Sequence, residues 1–165
     1  MTGIVFTPIG IVRSPFRDPR NMPIQPLGAR GVRGTVELDP ACAAGLKDLA
    51  GFSRIILLYH FHRSEGYALE VVPFLDKTPH GVFATRAPRR PNALGLSILK
   101  LVAVDGATLT IEDVDILDGT PVVDIKPYVP AFDAYPDERS GWLAAAGEDP
   151  RTVRSDGRFC DQGEP

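Results

Sequence analysis

The chain has 165 residues, of which 44% are hydrophobic and 24% charged, with a formal net charge of −3. That size excludes two ordinary domains and fits one well-cored domain plus a tail, and the composition is that of a globular protein. The acidic balance excludes a protein that coats nucleic acid non-specifically, and Cys42 and Cys160 supply neither a disulfide framework nor metal-site spacing, which predicts a reducing, cytoplasmic compartment.

The first residues, MTGIVFTPIGIVRSP, lack the shape of a signal peptide. No run reaches the ~18 apolar residues of a membrane span. Ile4 to Val12 reads as a strand interrupted by Pro8 and Gly10, hence an edge strand or a bulge. Residues 13–31 form a long loop rich in proline and arginine, a length that in a compact domain is functional or disordered. Val32 to Leu38 is a strand. Asp39 then caps a helix that has Pro40 at its first position and Gly51 at its stop. Arg54 to His62 is apolar on both faces and is predicted to be a central strand buried on two sides.

Ala68 to Phe74 and Val82 to Ala84 add short strands. Leu96 to Val104, an Asp105-Gly106 turn and Leu109 to Val114 form a hairpin. A second turn, Asp118-Gly119-Thr120-Pro121, leads into Val122 to Ile125. Seven or eight strands with one clear helix predict a mostly β fold. Residues 1–136 are read as a single small β-barrel with one or two short helices. Residues 137–165 are read as a C-terminal tail, partly helical or disordered, with Trp142 docking a short helix. No dinucleotide fingerprint or phosphate-loop motif occurs, so nothing points to a Rossmann fold.

Charge is segregated along the chain. Residues 1–35 hold five arginines against Asp18 alone, and residues 105–124 hold six acids and no base. The stretch Gly81 to Leu101 sets Arg86, Arg89 and Arg90 beside Pro88 and Pro91. Guanidinium forks on a loop stiffened by proline make an anion-binding arrangement, and the plain alternative is a solvated surface loop. Asn92 and Gly95 favour the first reading, since a glycine at a strand entrance suits close approach by a ligand. Asp113, Asp115, Asp118 and Asp124 cluster near the second turn, where Ile116 and Leu117 put apolar groups among carboxylates, as in a small-molecule pocket wall. Carboxylates there suit a ribose diol or a cationic amine, and Arg86 suits a carboxylate. Lys126 and Tyr128 either lock the sheet end or meet a phosphate and a base. His60 and His62, with Glu65, come close to a cupin metal site, but the third histidine is missing from the later strand and no metal ligand set is assigned.

PIGIVRSPF near the start, GVFATR with RPN in the middle, and DGTPVVDIKPYVP towards the end together resemble the TrmO (YaeB-like) family over about residues 6–136. The resemblance implies a non-Rossmann β-barrel methyltransferase that uses S-adenosyl-L-methionine, in a short form lacking a C-terminal domain. The implied reaction adds a methyl group to N6 of threonylcarbamoyladenosine at position 37 of the tRNA anticodon loop. It implies a cytoplasmic homodimer, with cofactor contacts at Gln25, Pro26 and Leu27, His62 and Arg63, Arg86, Leu96, and Asp115, Ile116, Leu117 and Asp118. An exocyclic adenine nitrogen needs its proton removed, and Asp118 or Asp124 is nominated as the acceptor. The basic loops at 13–33 and 86–90 are expected to hold RNA phosphates. Two other readings stay open: a non-catalytic barrel that binds S-adenosylmethionine or RNA, and a metal-dependent cupin-like enzyme.

Overall fold

The structure, a computed structural model, describes residues 3–160. Eight strands run in chain order: β1 Gly10–Arg13, β2 Arg33–Leu38, β3 Arg54–His60, β4 Glu70–Val71, β5 His80–Gly81, β6 Leu94–Asp105, β7 Thr108–Glu112 and β8 Pro121–Pro127. Six of them close an antiparallel barrel in the order β1-β2-β7-β6-β3-β8, with β8 returning to β1. The expected mostly β barrel is therefore present.

Alternation fills the barrel. Val12, Val36, Ile55, Leu57, Leu99, Leu109, Ile111 and Val122 point inward at 0% exposure, each contributing roughly 1.5–3 kcal/mol of apolar burial. β3 is not buried on two sides as expected: Ile55, Leu57 and Tyr59 face the core, whereas Ile56 and Leu58 remain partly exposed outside. A sheet curled into a barrel has one interior, so the second apolar face of β3 stays on the surface.

Several expected elements are shorter or of another type. Ile4 to Phe6 are exposed, and the first strand pairs only from Gly10 onward, past Pro8. The helix expected from Pro40 to Gly51 is two 3-10 turns, Pro40–Leu46 and Leu49–Gly51, with the Asp39 carboxylate accepting from Ala41 N at 2.9 Å. Asp48, at φ 67°, separates them. This plug drops Leu46, the last residue of the first turn, and Leu49, the first of the second, onto one end of the barrel core. The strand expected over Ala68–Phe74 shrinks before Pro73 to Glu70–Val71, paired with His80–Gly81. Val82–Ala84 is a 3-10 turn, not a strand, and Val82 packs with Val71 and Ala87 in a satellite core.

Past β8, a four-residue helix, α1 Pro130–Asp133, precedes a 3-10 turn at Gly141–Ala145. Trp142 sits on that turn, donates from Nε1 to Ala84 O at 2.8 Å and stacks on His80 at 4.5 Å between ring centroids. Residues 149–160 then run back along residues 19–28. Ser155 Oγ donates to Pro19 O at 2.6 Å and accepts from Met22 N at 2.8 Å, and Phe159 meets Phe74 edge-on. Of the expected tail, residues 161–165 lie outside the described residues. Among the described residues no helix is long and apolar enough to cross a membrane.

Candidate functional site

The barrel end opposite the 3-10 plug opens into a cavity of about 510 Å³, within the ~300–1,000 Å³ range of small-molecule sites. Its floor is the end of β3 and the start of β6, where Tyr59 lies opposite Gly95, with the buried pair Leu57 and Ser97 further in along the same strands. Ser97 Oγ donates to Asp115 Oδ1 at 2.8 Å and lies 3.0 Å from the Tyr59 hydroxyl. This row of polar groups sits on an otherwise apolar barrel interior, and each member has a partner, as buried polar groups require. Burial, and secondarily the Asp115 carboxylate, keeps the Tyr59 phenol protonated.

Asp115 keeps part of its surface open on a residue that lines the cavity. It is nevertheless enclosed deeply enough for desolvation to push its carboxyl up to about 7, against the opposing pull of the Ser97 hydrogen bond and the Arg86 charge. His62 leaves the strand after His60 and turns towards Thr120, with Nδ1 3.3 Å from Thr120 Oγ1. Its pKa is lowered by burial first, then by Arg63 and His60, so the ring is neutral at pH 7. Across the cavity the Arg86 guanidinium donates to Gln25 Oε1 at 2.8 Å, fixing a positive group at the rim.

Gln25, His62, Arg63, Arg86, Leu96, Asp115, Ile116 and Leu117 therefore line one cavity although they come from five separated segments. Pro26 and Leu27 are beside it on the 3-10 turn Pro26–Ala29, with Leu27 43% exposed. Asp118 and Asp124 do not line it. Asp118 accepts from Ser14 N at 3.1 Å and ties the 13–31 loop to the second turn, and Asp124 pairs with Lys126 at 2.7 Å on β8. Lys126 and Tyr128 also lie outside the cavity lining. His60 is exposed at the end of β3 and Glu65 is exposed, so the cupin-like ligand cluster does not assemble. No three His, Cys, Asp or Glu side chains converge on a metal position among the described residues.

Sequence reasoning missed Tyr59 and Ser97, whose inward placement follows from the β3–β6 register. Phe159 was also missed, because nothing in a glycine- and acid-rich segment shows that it folds back. Gly95 was read as a place for a ligand to approach the backbone, and the Tyr59 ring takes up that space instead.

The profile of the tRNA-methyltransferase O N-terminal domain family matches residues 11–134. Among relatives, a probable S-adenosyl-L-methionine-binding protein of Pyrococcus abyssi is 52% identical over 94% of this chain and 85% of its own length. The tRNA (adenine(37)-N6)-methyltransferase of Escherichia coli is 34% identical, with 88% of this chain and 66% of that protein covered. The crystal structure of TrmO from Pseudomonas aeruginosa superposes with a TM-score of 0.72 at 40% identity, covering 85% of this chain and 62% of that one. The chain thus spans somewhat under two thirds of those two longer proteins.

Proposed function

The chain belongs to the tRNA-methyltransferase O N-terminal domain family, and on that premise we propose that it is an S-adenosyl-L-methionine-dependent methyltransferase acting on N6 of adenine 37 in tRNA. The nucleoside is taken to be threonylcarbamoyladenosine, the enzyme to be a homodimer, and its compartment the cytoplasm. The observation that carries the reading is the single cavity joining Arg86, Asp115 and apolar walls from Phe61, Leu96, Ile116 and Leu117. These groups fit the donor: Arg86 for its carboxylate, Asp115 for its positive charge, and the apolar walls for its adenine ring.

Bound there, S-adenosylmethionine supplies an electrophilic methyl group on a good leaving group, so the protein's work is alignment and proton removal. Arg86, held by Gln25, orients the cofactor's carboxylate end. Among the described residues Asp115 is the one acid lining the cavity, and a cation beside it favours its ionised form. An ionised Asp115 is the group this reading nominates to take the N6 proton. Asp118 and Asp124, the acids nominated from sequence, are left with roles in the loop and the strand. The homodimer is assigned to the outer face of β3 and β6, where Ile56 opposite Ile98 makes an apolar cross-strand pair beside Leu58.

Incubation of the chain with methyl-labelled S-adenosylmethionine and tRNA from cells lacking the endogenous enzyme, followed by nucleoside mass analysis, tests the reading. One added methyl on the threonylcarbamoylated adenosine is expected. A second reading, a binding protein without turnover, is favoured by the name of the Pyrococcus relative. Cofactor binding without any labelled nucleoside would select it.

A further inference from the structure

Beside the cavity, and sharing Pro19, Arg63, Gly157 and Cys160 with it, runs a groove of about 740 Å³. Its charged walls are Arg17, Asp18 and Arg20 from the 13–31 loop, Arg63, and Asp156 and Arg158 from the returning C-terminal segment. Both acids are already matched: Asp18 holds Arg20 at 2.6 Å and Asp156 holds Arg158 at 2.5 Å. Arg17 and Arg63 make no salt bridge or side-chain hydrogen bond among the described residues, and Arg17 is exposed. The groove therefore presents two guanidinium groups with no hydrogen-bonded acid, of which Arg63 also lines the cavity. Arg158 is pinned from behind by Pro73 O at 2.9 Å and lies over the Phe74 ring. Gly157, at φ 88°, lets the segment lie on the Arg20 stem, where a Cβ would stand 3.1 Å from Arg20 Cγ.

We propose that this groove, formed jointly by Arg17, Arg63 and the C-terminal segment around Gly157, holds the phosphodiester backbone of single-stranded RNA next to the base delivered into the cavity. Guanidinium groups without an acid held against them suit phosphate oxygens. The continuity of groove and cavity suits an anticodon-loop strand whose base is turned inward. The segment at Asp156–Arg158 lies outside the 11–134 region that the family profile matches, so on this account the wall is supplied by a part of the chain that the matched domain does not contain. The inference rests on the methyltransferase reading for the identity of the RNA, but its readout is binding.

The test measures the affinity of the full chain for a synthetic anticodon stem–loop across a salt series, with S-adenosylmethionine affinity recorded on the same samples. Arg17→Glu is expected to weaken RNA binding about tenfold or more and to flatten the salt slope by about 0.7 to 1. Cofactor affinity should stay within about twofold, since Arg17 is not among the cavity residues. Arg17→Lys is expected to restore most of the affinity, and Lys47→Glu, on the plug at the far end of the barrel, to change it little. An Arg17→Glu chain that binds the stem–loop with parent affinity and salt slope would overturn the groove assignment, as would a parent chain that binds cofactor but no RNA. A parent chain that binds the stem–loop through Arg17 yet takes up no cofactor would keep the groove and sink the methyltransferase reading.

Discussion

Gly95 faces Tyr59 across the β3–β6 ladder so closely that a Cβ on residue 95 would overlap the Tyr59 ring. The absence of a side chain on one strand thus sets where the phenol of the other goes, and its hydroxyl lies 3.0 Å from Ser97 Oγ, which in turn holds Asp115. Gly95→Ala is expected to lower stability by about 1–3 kcal/mol, the usual penalty for overpacking a filled core. It should also weaken cofactor binding, because the displaced ring enters the cavity. Urea denaturation together with titration calorimetry checks both, and a variant with parent stability would show that Tyr59 has another place to go.

Asp115 carries the pH dependence. Its folded pKa of about 7 lies above its ordinary 3.8, so between these values the folded chain binds more protons than the unfolded one. Stability at this residue is therefore present at low pH and declines as pH rises towards and through 7. Asp115→Asn should remove that decline and leave the variant relatively more stable at pH 8 than at pH 5, as read by thermal melts.

Binding runs the opposite way. A cationic cofactor favours ionised Asp115, so affinity should improve as pH rises from 6 to about 7 and level off above it. The Asn variant should lose the slope, and so should the demethylated product, whose sulfur is a neutral thioether, with the parent chain. An equal slope for the sulfonium and the thioether ligands would show that Asp115 does not sense the sulfonium.

Ser155 anchors the returning C-terminal segment by donating to Pro19 O and accepting from Met22 N. Ser155→Ala removes the donor and leaves the Met22 amide without this partner, a change worth about 1–3 kcal/mol. Because the segment is a surface strap, the expected result is local opening: faster amide exchange over residues 149–160 and around Met22, with barrel strands unaffected. Uniform exchange changes across the barrel would mean that the strap and the core unfold together.

The barrel itself was legible from sequence because alternation in β2, β6 and β7 and the Asp105-Gly106 hairpin turn are local signals. The two-sided hydrophobicity of Arg54–His60 was also visible, but its meaning was not, since composition cannot separate a central strand from a barrel strand with an apolar outer face. Asp115, Ile116 and Leu117 stood out as acids mixed with apolar residues, and Arg86 as a guanidinium on a proline-stiffened loop. What remained hidden depends on contacts between distant segments. Ser97 comes to hold Asp115 only through its inward place on β6, Asp118 and Asp124 look alike in sequence until one caps a loop and the other pairs with Lys126, and the strap is defined by Ser155 meeting Pro19.

Arg86 is the point at which the account is most exposed. It reaches the cavity rim from the basic loop, is steadied by Gln25 at 2.8 Å and acts electrostatically on Asp115. Titration calorimetry of S-adenosylmethionine into the parent chain and into Arg86→Ala is the most direct measurement. One cofactor per chain is expected for the parent, with affinity about 10- to 100-fold weaker in the variant, as loss of a charge-assisted contact predicts. No heat of binding to the parent, or equal affinity in the two chains, would contradict the claim that this cavity seats the methyl donor.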